Sequence, residues 1–135
     1  MIMAELTGRE PTAEAIDALA QDTLARLPSP FRESLGDIVL VIEELVDADT
    51  ARSLGLRNPM QLSGLYQGVP LNRQSVSQSG VLPERITLYR RPIVAEWQST
   101  SFSLEQIVSH IVIHEIGHHF GFSDDDIHAL EREAE

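Results

Sequence analysis

A chain of 135 residues with 42% apolar content fits one globular domain able to bury a core of its own. Its formal charge of −11, with every basic residue an Arg, opposes a nucleic-acid partner and an anionic membrane surface, both of which call for a basic face. Cysteine is absent, which excludes a disulfide framework and a thiolate metal site; a transition metal would have to be held by His, Asp or Glu.

The opening stretch, MIMAELTGREPTAEAIDALAQ, has neither the basic start nor the long apolar run of a secretory signal. Apolar runs at 38–42 and 111–113 are too short to span a bilayer, so the expected location is the cytoplasm. Residues 11–27 read as a first helix. Thr12 is placed to cap it, and Ile16, Leu19, Ala20, Leu24 and Leu27 form an apolar stripe at helical spacing. Pro28 and Pro30 end it. The β-branched run IVLVI at 38–42 predicts a strand buried on both faces. A short helix is expected at 49–54, stopped by Gly55.

Residues 57–83 form an irregular loop region rich in Gly, Pro, Ser, Gln and Asn, with a brief strand expected at 65–69. RITLY at 85–89 alternates as a second main strand, and Pro92 begins a short helical piece through Trp97. No repeat or low-complexity tract marks a boundary, so residues 1–135 read as a single domain, with the N-terminal helical segment within 1–30.

Ser103 opens the last long helix in a capping-box pattern with Gln106, and Gly121 stops it. Ile107, Val108, Ile111, Val112, Ile113, Ile116 and Phe120 make it apolar nearly all round, as in a helix buried inside a domain. That helix carries four of the five histidines. His114 and His118 are four residues apart and so project from one face, a spacing at which two imidazoles reach one ion. Glu115 lies beside them, placed to act as general base toward a metal-activated water.

A catalytic zinc site uses three protein ligands and one open position. Gly121 permits a turn out of the helix, after which Asp124 is the candidate third ligand, with His128 its rival. The acids of SDDD at 123–126 also suit the first turn of a further helix. His110 and His119 read as hydrogen-bonded structural groups. Tyr66, Tyr89 and Arg90 are candidates to stabilise an oxyanion.

HEIGHHFGFSD, of the form H-E-x-x-H-x-x-G-x-x-D, resembles the elongated zinc motif of metzincin-like peptidases with Asp in the third place. Together with LSGLYQGVPLNR and LPERITLYRRPI, it makes residues 36–128 similar to the small bacterial zincin-like metallopeptidases. The resemblance implies an α+β fold, a small mixed β-sheet packed on a buried active-site helix. It implies Zn2+ held by His114, His118 and Asp124, Glu115 as base, and a peptide or protein substrate. Eleven residues follow Asp124 and none is Met, so the resemblance does not extend to the methionine turn and lower subdomain of larger metzincins. Two other readings compete. A metal-dependent endoribonuclease with H-x-x-x-H-x-x-G would carry Gly in place of Glu115 and His in place of Asp124, and the acidity opposes RNA. A catalytically silent, metal-bound interaction module is the other.

Overall fold

The computed structural model describes residues 10–29, 31–33, 35, 38–68, 84–121, 125, 129 and 132. In chain order the elements are helix α1 (Ala13–Ala25), strand β1 (Val39–Glu43), helix α2 (Ala48–Ser53), strand β2 (Gly64–Gln67), strand β3 (Arg85–Tyr89), helix α3 (Arg90–Ser99) and helix α4 (Leu104–Phe120). The architecture is α+β. Among the described residues three strands form one mixed sheet in the order β1-β3-β2, with β1 parallel and β2 antiparallel to the central β3.

Local chemistry explains the boundaries. Thr12 caps α1 by accepting from the Ala15 N–H, and Asp47 caps α2 by accepting from the Thr50 N–H. At α4 the Ser103 hydroxyl accepts from the Gln106 N–H while the Gln106 side chain accepts from the Ser103 N–H, completing the capping box. Gly121 ends α4 in the left-handed conformation, φ 75° and ψ 27°. Helix α3 starts two residues before Pro92, which is tolerated because first-turn N–H groups have no partner inside the helix.

Helix α4 is the axis of the molecule. It packs against α1, β2, β3 and α3. Ile107, Val108, Ile111, Val112, Ile113 and Ile116 join Ile16, Ala20, Leu27, Ile86, Leu88 and Ile93 in one buried cluster. Fully burying an aliphatic side chain contributes roughly 1.5–3 kcal/mol, so this cluster holds α4 in place whatever its own helix propensity. A smaller cluster of Val46, Ala51 and Tyr89 closes the other end of β3. Among the described residues, no helix is long and apolar enough to cross a membrane.

One expectation needs correction. The run at 38–42 does not make a strand buried on both faces: β1 begins one residue later and stands at the edge of the described sheet, with its ends exposed and its middle half-buried. The central, buried position belongs to the shorter apolar run of β3, whose Ile86, Thr87, Leu88 and Tyr89 are all buried. Continuous β-branched sequence reports strand propensity; position in the sheet is set by which strand two neighbours pair with.

Candidate metal centre

The open side of α4 is a stripe of three histidines one turn apart: His110 exposed, His114 half-buried, His118 exposed. The His114 and His118 rings lie 4.7 Å apart between centroids, at 64° to each other. Glu115, next in line, is buried. His114, Glu115 and His118 each bring one ligand-capable atom into a group whose members lie within 4.8 Å of one another. Two imidazoles and a carboxylate, with no thiolate, form a donor set suited to zinc.

Strand β2 lies close beside this carboxylate. A Cβ on Gly64 would stand 2.5 Å from Ile111 Cγ2 and 3.5 Å from Glu115 Cγ, so the bare backbone lets the strand lie against α4. There the Tyr66 N–H donates to the Glu115 carboxylate, and His118 Nδ1 lies 3.3 Å from Glu115 Oε1. Burial raises the Glu115 pKa above the ordinary carboxylate value, while positive potential from His114 and the Tyr66 N–H pull the other way. A carboxyl group held this way takes up a proton more readily than a solvated one.

A model of the zincin-like metallopeptidase family matches residues 35–134. The chain belongs to that family. As a zincin-like protein it is expected to hold a metal, typically zinc, and the His-Glu-His group on α4 fits that expectation. No curated protein matches the sequence.

The remaining candidates fall into place around this group. Asp124 and His128, the two contenders for third ligand, lie outside the described residues. Asp125 is exposed. His110 was expected in the core as a hydrogen-bonded group; instead it is exposed, its ring stacked 6.3 Å from that of His114, because the helix turns this one stripe to the surface. His119 is buried, its Nδ1 paired with the Glu84 carboxylate, as expected of a structural group. Arg90 is committed to Glu44, which it grips through Nε and Nη2, and to the Pro11 carbonyl, so it is no oxyanion donor in this arrangement. Tyr89 is buried in the smaller core cluster. The Tyr66 hydroxyl donates to Glu84.

Glu84 was not singled out from the sequence. Nothing local marks it: a glutamate ahead of an alternating strand is ordinary, and its partners lie far from it along the chain, on β2 and α4.

Proposed function

We propose that the protein is a zinc peptidase in which His114, His118 and Asp124 hold the ion and Glu115 is the general base. The observation that carries this is the convergence of His114, Glu115 and His118 within 4.8 Å on a buried helix, in a zincin-like chain. A zinc ion at such a site supplies Lewis-acid polarisation of a carbonyl and lowers the pKa of water. Glu115 takes a proton at a carboxylate oxygen and hands it to the departing amine. Its raised affinity for a proton suits both halves of that task.

Strand β2 supports a peptide as the substrate. Tyr89 N–H donates to the Ser63 carbonyl, and the register Leu65↔Thr87 follows. In that register Leu65 and Gln67 turn their backbone groups to β3, while Gly64 and Tyr66 turn theirs outward. No described strand pairs with that edge. An extended peptide added there lies alongside Glu115 and is held by main-chain hydrogen bonds to Gly64 and to the Tyr66 carbonyl, the Tyr66 N–H being given to Glu115. The stripe from His110 to His118 continues the same open side along α4.

The test is Glu115→Gln. Zinc content of the purified variant should match wild type, and cleavage of a broad panel of unfolded proteins should fall by about 100- to 10,000-fold. An unchanged rate in the variant would sink the mechanism; no cleavage by zinc-loaded wild type across the panel would favour a metal-bound interaction module.

A further inference from the structure

We propose that Glu84 and Tyr66, locked onto the buried His119, are positioning residues that hold β2 so that the Tyr66 N–H orients the Glu115 carboxylate. The role rests on the proposed function of Glu115 as base.

Tyr66 touches the helix at two levels. Its backbone N–H donates to Glu115, and its hydroxyl reaches Glu84 beside His119. Glu115 and His119 are four residues apart on one face of α4, separated by about 6 Å along the helix, close to the reach of a tyrosine from backbone to hydroxyl. The Glu84 carboxylate accepts from two donors on different elements, the Tyr66 hydroxyl on β2 and His119 Nδ1 on α4. With that proton given to Glu84, the Tyr66 hydroxyl sits 3.5 Å from the same Nδ1, at the outer limit of a hydrogen bond. Glu84 is itself anchored, because its carbonyl accepts from the Val39 N–H at the start of β1. One residue thus ties β1, through its carbonyl, to β2 and the end of α4, through its carboxylate.

The fit is close. The Tyr66 and His119 rings meet edge to face with centroids 5.8 Å apart. Gly68 closes the cluster with φ 149°, where a Cβ would stand 2.8 Å from Glu84 Cγ and 2.9 Å from the Tyr66 hydroxyl. His119 is 3% exposed and the Glu84 side chain is mostly buried, and charge-assisted hydrogen bonds in such a setting are strong and directional. The consequence falls on Glu115. Its described hydrogen-bonding neighbours are the Tyr66 N–H and His118. With His118 given to the metal, the strand amide is left to aim the carboxylate.

The test uses the full-length protein with Tyr66→Phe and, separately, Glu84→Gln, which keeps the side chain's shape while removing its charge. Amide hydrogen exchange is read at position 66 and at Leu65, whose N–H faces β3 and reports whether the strand itself survives. The expected result is exchange accelerated about tenfold at position 66 with Leu65 held within about twofold. In zinc-loaded protein kcat should drop roughly tenfold to a hundredfold with KM little changed. Protection at position 66 equal to wild type would overturn the proposal, as would parallel loss at 65 and 66, which marks a merely structural role. Absence of hydrolysis by wild type refutes the peptidase reading and leaves the amide comparison to decide this one.

Discussion

Glu115 is the residue on which structure and chemistry pull in opposite directions. A carboxylate shut away from water is costly in its charged form, yet a base must be charged to accept a proton. In metal-free protein the native state binds that proton more tightly than the unfolded chain does, since burial raises the native pKa. Its contribution to stability is therefore fully present below the ordinary carboxylate pKa and is lost as pH rises through the raised native value. Glu115→Gln removes the ionisation. Metal-free variant should melt a few degrees above metal-free wild type at pH 8, and the gap should close as pH falls toward 4; thermal melts across that range check it. A gap that widens toward acid pH would mean that the native site favours the charged form.

At the scale of elements, the pairing of β2 with α4 depends on one missing side chain. Ile111 is buried in the main core cluster, and its Cγ2 branches next to the helix backbone, so it has little room to retreat from a Cβ at position 64. Gly64→Ala should cost roughly 1–3 kcal/mol, read as a lower denaturant midpoint with unchanged slope. The elements themselves were largely legible in the sequence. RITLY coincides with β3, the Ser103–Gln106 capping box opens α4, and Gly121 closes it, because caps, alternation and glycine stops are written into neighbouring residues. What failed was the placing of β1, since centre and edge of a sheet are decided by partners remote in sequence. The site divides the same way. His114, Glu115 and His118 were readable because helical periodicity alone brings them together. The Glu84–His119 pair and the surface position of His110 were not, since each depends on which side of α4 the sheet covers.

Taken whole, the described residues form an apolar core around one helix, with a metal-type group on a stripe of that helix that the core leaves open. An ion held there adds stability only to the folded state, because the unfolded chain does not keep two imidazoles one helical turn apart. At a free zinc concentration a hundred times the dissociation constant, the gain should be about 2.7 kcal/mol, visible as a higher melting temperature that a chelator abolishes. Protons compete with the metal for the imidazoles, so the increment should shrink as pH falls. The same measurement decides the third ligand. If Asp124 completes the site, Asp124→Ala should remove most of the zinc-induced increment while leaving the metal-free melting temperature near wild type, and His128→Ala should leave the increment intact. The reverse pattern would transfer the ligand role to His128. Retention of the full increment in both variants would mean that His114 and His118 hold the ion with Glu115 itself, and Glu115, as a ligand, would then no longer be available as the base.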